Sequence, residues 1–458
     1  MTTSTSRTPN SGARSPDLII EAGWVIPVQP HGVVWRDHAV AVAADRIVAV
    51  ATRSELVERY PDVPRLQRPD GILLPGLINA HTHNPMTLMR GVADDLPLHV
   101  WLSEHIWPTE AAVISPDFVA DGVELAIAEM LRGGTTCANE NYFFPDAIAA
   151  TYARHGFRAT VGLPVIEFPT AWARHADEYF DKGLEVRDQY LGHPLIRTSF
   201  APHAPYTVSD ASFERIRMLA DQLDLPVHCH VHETAQEITD SIRDHGVRPL
   251  ARLDRLGLVN AQLIAVHMTQ LTEAEIALCA QRGVSVAHCP ESNLKLASGF
   301  CPIESLRRAG VNLALGTDGC ASNNDLDMIG EMRTAALVAK AVAGDAAAMD
   351  APSVLRMATL GAAQALGIEQ QVGSIELGKQ ADLIVIRQDE IEAVPCFEAI
   401  SQIVYSGHRR QVQDVWIAGQ RKLEDGRLVD IDTAALIAKA RSWQGRIEAL
   451  PKRGASGE

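Results

Sequence analysis

The chain has 458 residues, enough for a barrel of about 250 residues or more with an appended domain, or for two or three medium domains. Its 41 basic and 57 acidic side chains give a formal charge of −16, which argues against nucleic acid or an anionic membrane as the partner and favours a small molecule. The seven cysteines are scattered and form no C-x-x-C pair, which predicts reduced thiols in a cytoplasmic protein.

The two ends of the chain differ from its middle. Residues 1–16 are polar and lack the apolar centre of a secretion signal, so we expect a disordered tail. Residues 17–72 and 373–430 contain short β-rich runs separated by turn residues, and we predict that they assemble into one composite β-sandwich domain. Residues 431–458 follow a helical pattern and are predicted to form a C-terminal helix. No run approaches 18 apolar residues, so we expect no membrane span.

Residues 73–372 repeat one pattern: a helical segment ending in glycine, a short β-branched run, and polar residues where that run ends. The candidate strands are 72–83, 134–140, 157–166, 195–205, 225–233, 262–269, 284–290 and 311–319. Eight such units predict an α/β fold, a closed (β/α)₈ TIM barrel whose catalytic groups lie at the C-terminal ends of the strands. A doubly wound open sheet is the alternative architecture, but the chain has no G-x-G-x-x-G turn to favour it.

Histidines gather at the predicted strand ends. The segment "LLPGLINAHTHNP" places His81 and His83 one residue apart, and alternation along a strand aims both imidazoles to the same side. Two carboxylates, Glu233 and Asp318, follow the fifth and eighth strands. The histidines near strand ends are His81, His83, His203, His228, His230, His232, His267 and His288. Histidine with carboxylate and no nearby thiolate predicts a site for Zn²⁺ or a similar divalent metal at the barrel mouth.

The fifth strand leaves one ambiguity, because alternation aims His228, His230 and His232 at the same face and spacing does not choose among them. A metal with an open coordination position lowers the pKa of its bound water to about 7. A carboxylic acid outside the ligand set, such as Glu233, could carry a proton from that water to the substrate. The pattern therefore indicates hydrolysis or hydrolytic deamination and leaves the substrate open.

Longer motifs resemble those of the amidohydrolase superfamily, and within it the aminohydrolases of 5′-methylthioadenosine, S-adenosylhomocysteine and adenosine. They are "PGLINAHTHNPMTLMRGVADDLPLHVWL", "APHAPYTV", "HVHE", "HCPESNLKL", "GTDGCASNN" and "GSIELGKQADLIV". The resemblance implies one Zn²⁺ per subunit, held by His81, His83, His230 and Asp318. It also implies a purine-salvage enzyme that converts the adenine of a nucleoside to hypoxanthine and releases ammonia.

The resemblance assigns roles around the metal as well. Glu233 matches the acid that protonates N1 of the purine, while His267 and Asp318 match the residues that orient and deprotonate the hydrolytic water. That water attacks C6 of the ring. Because the resemblance assigns His230 as the ligand, it implies that His228 and His232 are supporting or structural residues.

Further residues are implied to bind the substrate. His203 matches a residue that hydrogen-bonds the purine, and Glu110 matches the acid that binds the ribose hydroxyls. Trp101 is either a wall of the pocket or plain core. Relatives that take S-adenosylhomocysteine carry two arginines for its carboxylate; here Arg174 is a candidate for one, and Gly162 stands at the place of the other. We therefore predict that the enzyme prefers 5′-methylthioadenosine to S-adenosylhomocysteine, with adenosine as a third substrate.

Two other functions remain open. The s-triazine chlorohydrolases and the guanine or other heterocycle deaminases share the barrel and much of the metal site. A barrel of this superfamily that has lost its ligands and serves as a structural protein would show gaps in the metal set, and this sequence shows none. The resemblance also predicts a homo-oligomer.

Overall fold

The structure is a computed structural model that describes residues 15–451. The predicted tail, 1–16, lies outside the described residues except for its last two positions. Within the described range the strands form two sheets, one of nine strands and one of eight. No helix in this range has both the length and the apolar character needed to cross a bilayer.

Five strands precede the barrel and belong to the nine-stranded sheet. They are β1 (Leu18–Val25), β2 (Trp35–Arg36), β3 (His38–Ala43), β4 (Arg46–Thr52) and β5 (Arg65–Pro75). β1 pairs with β3 in antiparallel and with β5 in parallel orientation, so the sheet is mixed. β1 and β3 each contain at least four consecutive buried residues, and β5 ends in five, so these strands are covered on both faces over much of their length.

The eight strands that follow are parallel and lie side by side in chain order. They are β6 (Leu77–Thr82), β7 (Thr135–Glu140), β8 (Arg158–Val165), β9 (Ile196–Pro202), β10 (Val227–Val231), β11 (Leu263–His267), β12 (Ser285–His288) and β13 (Asn312–Leu315). Each matches one of the eight predicted strands. The prediction of an α/β TIM barrel is confirmed.

The last four strands return to the first sheet. They are β14 (Leu383–Arg387), β15 (Val412–Ile417), β16 (Gln420–Glu424) and β17 (Arg427–Leu428). β14 pairs with β5 in antiparallel orientation, which joins the two ends of the chain in one mixed sheet of order β17-β16-β15-β14-β5-β1-β3-β4. The sequence-based expectation of a second β unit built from both termini is therefore confirmed.

Helices connect and surround the strands. They are α1 (Arg53–Arg59), α2 (Leu98–Val100), α3 (Trp107–Val113), α4 (Pro116–Arg132), α5 (Pro145–His155), α6 (Ala176–Gln189), α7 (Asp210–Leu223), α8 (Ala235–His245), α9 (Pro249–Arg255), α10 (Glu273–Arg282), α11 (Pro290–Lys295), α12 (Ile303–Arg308), α13 (Met328–Ala343), α14 (Ala351–Met357), α15 (Leu360–Ala365), α16 (Ala399–Ser401) and α17 (Thr433–Glu448). α10 shows why the sequence folds this way: Thr272 and Glu275 form a capping box at its start, and Gly283 ends it with φ of 72°.

The chain crosses from one sheet to the other at Gly76. The predicted strand 72–83 is divided there, its first part lying in β5 and its second in β6. A Cβ atom at Gly76 would lie 2.0 Å from Oγ1 of Thr136, so only glycine fits. Below this crossing Arg158 of the barrel donates to both carboxylate oxygens of Asp382, at 2.7 and 2.9 Å, and ties the two sheets together.

The barrel closes between β13 and β6 through a side chain rather than a backbone ladder. The amide of Asn79 accepts from the backbone N–H of Thr317 at 3.0 Å and donates to its hydroxyl at 2.7 Å. Above this contact the backbone N–H of Asp318 donates to the carbonyl of His81 at 3.0 Å. The first and last strands of the barrel therefore meet where the predicted metal ligands lie.

Candidate metal centre and active site

Four predicted ligands converge at the C-terminal mouth of the barrel. His81 and His83 come from β6 and the turn after it, His230 from β10, and Asp318 from the loop after β13. One ligand atom of each lies within 4.8 Å of the others. The Nε2 atoms of His81 and His83 are both 3.2 Å from Oδ1 of Asp318. Elements far apart in sequence thus bring together one donor set.

The far nitrogens of two of these imidazoles are held by backbone carbonyls. Nδ1 of His83 donates to the carbonyl of Asn141, and Nδ1 of His230 donates to the carbonyl of His203 at 2.6 Å. A carbonyl oxygen can only accept, so the proton of each neutral ring lies on Nδ1 and the lone pair of Nε2 faces the cluster. This is the tautomer that a metal ligand requires.

The structure separates the three histidines around the fifth barrel strand, which the sequence left ambiguous. His230 faces the donor cluster, with its Nε2 3.2 Å from Nε2 of His81. His228 lies behind His81, and its Nε2 is 2.8 Å from Nδ1 of that ring. His232 turns away from the cluster, since its Nε2 accepts the backbone N–H of Leu250 at 3.0 Å.

Asp318 presents one oxygen to the imidazoles and the other to two hydroxyls. Ser292 and Ser322 donate to its Oδ2 at 2.7 and 2.8 Å. Although burial alone would raise it, the pKa of Asp318 is held well below its usual range by the imidazoles of His81 and His83 that face it. The sequence analysis did not identify the two serines. The signal that could have found them is a hydroxyl residue within four positions of a predicted strand end, in the motifs "HCPESNLKL" and "GTDGCASNN".

Glu233 lies beside this cluster without joining it. Burial and the nearby charges of Asp318 and Glu237 raise the pKa of the Glu233 carboxyl well above its usual value, which favours its protonated form. Its Oε2 lies 3.8 Å from Nε2 of His267. Nδ1 of His267 in turn lies 2.9 Å from the side-chain nitrogen of Asn293. A buried acid and a buried imidazole therefore face each other at the mouth.

A cavity of about 560 Å³ opens above these groups. One wall is a continuous helical segment of residues 98–113, formed by α2, a π-helical stretch at Trp101–Ile106, and α3. Trp101 and Glu110 both line the cavity and are buried. Oε1 of Glu110 accepts from the hydroxyl of Tyr142 at 2.5 Å, and burial raises the pKa of Glu110 to about 7. Both residues therefore lie where the sequence analysis expected substrate contacts.

The opposite side of the cavity carries His203 after β9. Its Nδ1 lies 3.0 Å from the hydroxyl of Thr207, and burial lowers the pKa of His203 to about 4, so the ring is neutral. Aromatic side chains rim the opening, including Phe168 and Tyr206. Among the described residues, the side chains that line the cavity include no lysine and no arginine.

Arg174 and Gly162, the two positions considered for binding the carboxylate of S-adenosylhomocysteine, lie elsewhere. The side chain of Arg174 is 79% exposed, pairs with Glu178 at 2.9 Å, and does not line the cavity. Gly162 lies within β8, where a Cβ atom would be 2.6 Å from the carbonyl of Glu140 and 2.7 Å from Cβ of Ala201. An arginine could not stand at Gly162 without displacing these atoms. The structure therefore does not bring Arg174 to the site, and Gly162 is not the place of a carboxylate-binding side chain.

Comparison with known proteins identifies a family and similar proteins. Residues 72–422 match the model of the amidohydrolase family. A 5-methylthioadenosine/S-adenosylhomocysteine deaminase of Teredinibacter turnerae is 48% identical over 433 residues, which cover 94% of this chain and 98% of that protein.

Two solved structures share the architecture. A zinc-bound adenosine deaminase from Xanthomonas campestris superimposes with a TM-score of 0.94 and 65% identity, over 95% of this chain and 99% of that one. A zinc complex of an atrazine chlorohydrolase from Arthrobacter aurescens gives a TM-score of 0.87 at 23% identity, over 93% and 99% of the two chains, a likeness of fold alone.

Proposed function

The chain belongs to the amidohydrolase family, and on that basis we propose that it is a zinc-dependent hydrolytic deaminase of adenine nucleosides. The reaction replaces the amino group at C6 of the purine by oxygen and releases ammonia. We propose 5′-methylthioadenosine as the preferred substrate, with S-adenosylhomocysteine and adenosine turned over less well. The relative from Teredinibacter turnerae and the zinc-bound structure from Xanthomonas campestris support this chemistry.

The donor set fits Zn²⁺. Three imidazole nitrogens and one carboxylate oxygen form a ligand set that zinc accepts, and no thiolate takes part. The carbonyls behind His83 and His230 fix each Nε2 as an acceptor before any metal binds. When bound, zinc supplies a water of lowered pKa and leaves a position open for the substrate.

The residues around the metal would move the protons. We assign Glu233 to donate its carboxyl proton to N1 of the purine, which makes C6 a better electrophile. The raised pKa of Glu233 favours the protonated form that this transfer needs. His267 and Asp318 would orient the attacking water. Asp318 would accept one of its protons and pass it to the departing amino group, and the other proton would return to Glu233 as C6 becomes a carbonyl. Nε2 of His267 and Oε2 of Glu233 are 3.8 Å apart, so both side chains would reach the same edge of the purine ring.

The cavity walls would hold the nucleoside. Glu110 would accept hydrogen bonds from the ribose hydroxyls, His203 would bind the purine, and the indole of Trp101 would cover the ligand. Glu110 is the residue that most favours a nucleoside over a triazine or a free base, because Tyr142 occupies its Oε1 and its other oxygen is available in the cavity wall to accept from a ribose hydroxyl. The chlorohydrolase reading rests on a likeness of fold alone and is not favoured.

The substrate preference rests on the cavity rather than on Gly162. The part of the cavity that would hold the 5′ substituent has no cationic side chain to meet the carboxylate of S-adenosylhomocysteine, whereas its aromatic rim suits a methylthio group. Arg174, which we retain as a weaker proposal, would have to leave Glu178 to take part.

The observation that carries the proposal is the donor set of His81, His83, His230 and Asp318 with the buried carboxyl of Glu233 beside it. The test is ammonia release from 5′-methylthioadenosine, S-adenosylhomocysteine and adenosine, before and after zinc is stripped and restored. We expect zinc-dependent turnover, fastest on 5′-methylthioadenosine. The absence of ammonia from all three nucleosides would overturn the proposal, and equal rates on the three would overturn the preference.

We also propose a cytoplasmic homo-oligomer that works in purine salvage and takes neither nucleic acid nor membrane as a partner. The free cysteines, of which six are buried, support a reducing compartment. The mass in solution, measured by light scattering, tests the assembly, and a monomer would contradict it.

A further inference from the structure

One short helix touches three parts of the site. α11 begins just after β12, and its Ser292 and Asn293 contact Asp318 and His267. The last residue of α11, Lys295, points to neither of these groups. Lys295 instead contacts two loops at the mouth of the barrel, while the next residue, Leu296, lines the cavity.

The ammonium group of Lys295 has a hydrogen-bond acceptor for each of its three N–H donors. Its ammonium donates to Oδ1 of Asp94 at 2.6 Å, to Oδ1 of Asn324 at 2.8 Å and to the carbonyl of Ala321 at 3.2 Å. Its side chain is only 21% exposed, so the pairing with Asp94 is partly shielded from solvent. Among the described residues, Lys295 supplies the one ion pair of Asp94.

The contacts close a ring through Asn324. The amide of Asn324 accepts from Lys295 through Oδ1 and donates through Nδ2 to Oδ2 of Asp94 at 3.0 Å. Its carbonyl accepts from Arg90 at 2.6 Å. Asn324 has φ of 81°, so a strained backbone directs this amide toward Asp94. Loops after the first, seventh and eighth barrel strands are thereby joined.

The loop that carries Asp94 leads directly into the cavity wall. Three residues separate Asp94 from the start of the helical segment 98–113, which holds Trp101 and Glu110. Part of this segment is π-helical, a less stable form than the α-helix that is frequent at functional sites. A tether at Asp94 therefore limits where this wall can stand.

We propose that Lys295 is a positioning residue that holds the nucleoside-binding wall, residues 98–113, against the metal side of the site. The role attributed to that wall rests on the proposed function. Lys295 itself touches neither the proposed ligands of the metal nor the cavity. Its loss should therefore weaken nucleoside binding and leave the chemistry intact.

The test is the Lys295→Met variant of the full-length, zinc-loaded protein. We expect KM for 5′-methylthioadenosine to rise about three- to tenfold, the effect of losing one partly shielded ion pair, with kcat within about twofold. Zinc content should not change. Backbone hydrogen exchange, followed by mass spectrometry, should become faster in residues 91–110 than in the wild type. Asp94→Asn should reproduce both effects.

The matched control is Lys439→Met, which removes a surface lysine of the C-terminal helix α17 that bridges Asp121 and Glu124 of α4. It should change neither KM nor exchange in residues 91–110. Unchanged exchange in Lys295→Met would overturn the proposal, as would a loss of zinc or of kcat as large as the rise in KM. If the wild type releases no ammonia, the proposed function fails, whereas the exchange measurement still decides the role of Lys295.

Discussion

His228 lies with its Nε2 2.8 Å from Nδ1 of His81 and is completely buried behind that ring. The ring of His81 is the only one of the three proposed imidazole ligands whose far nitrogen meets a side chain rather than a backbone carbonyl. The orientation of His81, and hence of its Nε2, therefore depends on one replaceable residue.

Replacement of His228 should weaken metal binding. Residues that hydrogen-bond a metal ligand typically contribute a factor of about 10 to 100 to metal affinity. We expect a loss of that size in His228→Gln. His232→Gln is the control on the same segment, because His232 contacts the backbone of Leu250 and not a proposed ligand. Competition with a chelator measures the zinc dissociation constant. Equal losses in the two variants would refute the role of His228.

Ser292 should matter through Asp318. Its hydroxyl and that of Ser322 share one oxygen of the carboxylate, which keeps the other oxygen aimed at the imidazoles. We expect Ser292→Ala to lower zinc affinity about tenfold, and the double variant with Ser322→Ala to lose more than either single change. The same chelator assay reports this. A Ser292→Ala protein with wild-type zinc affinity would show that one hydroxyl suffices.

Glu110 should give the reaction a pH dependence near neutrality. Its pKa is raised to about 7 by burial, and only the carboxylate form accepts hydrogen bonds from two ribose hydroxyls. The value of kcat/KM for 5′-methylthioadenosine should therefore rise as the pH increases from 6 to 8. In Glu110→Gln this limb should flatten and kcat/KM should fall about tenfold or more. An unchanged profile in the variant would assign the limb to another group.

Glu140 should make stability fall as the pH rises. It is fully buried on β7, where it accepts from the backbone of Asn84 and the hydroxyl of Tyr152, both at 3.0 Å. Burial raises its pKa from 4.5 to about 7, so the folded protein keeps a proton that the unfolded chain releases. This contribution is complete below about pH 4.5 and is lost as the pH rises through about 7.

Glu140→Gln removes that titration. Between pH 4.5 and 8 the wild type should lose about 3 kcal/mol of stability relative to the variant. Thermal unfolding of both metal-free proteins across this range measures the difference. Parallel curves for the two proteins would mean that the pKa of Glu140 is the same in the folded and the unfolded protein.

Phe168 offers a way to change the substrate preference. It lines the cavity mouth, lies 6.3 Å from Trp107 between ring centroids, and is 40% exposed, so a longer side chain can be accommodated. We expect Phe168→Arg to raise kcat/KM for S-adenosylhomocysteine relative to 5′-methylthioadenosine by about tenfold, because a guanidinium can meet the carboxylate. Phe300→Arg, exposed and away from the cavity, is the control. An unchanged ratio would show that the 5′ substituent leaves the cavity elsewhere.

The barrel and most of the site could be predicted because their signals are local. Each strand pattern ended in a polar residue, and the parallel topology brought those ends to one mouth. His228, His230 and His232 could not be told apart, because the turn after β10, where His232 has φ of 56°, breaks the alternation on which sequence reasoning depends. The positions of Arg174 and Gly162 could not be predicted either, since they depend on the path of a loop and on packing between strands.

The junction of β6 and β13 sets an order of events for a newly made chain. Two proposed ligands, His81 and His83, are present early, but Asp318 reaches them only when the last barrel strand docks beside the first. A chain interrupted before residue 318 would hold histidines without the carboxylate that completes the set. The complete donor set therefore exists only in a barrel whose final strand is in place.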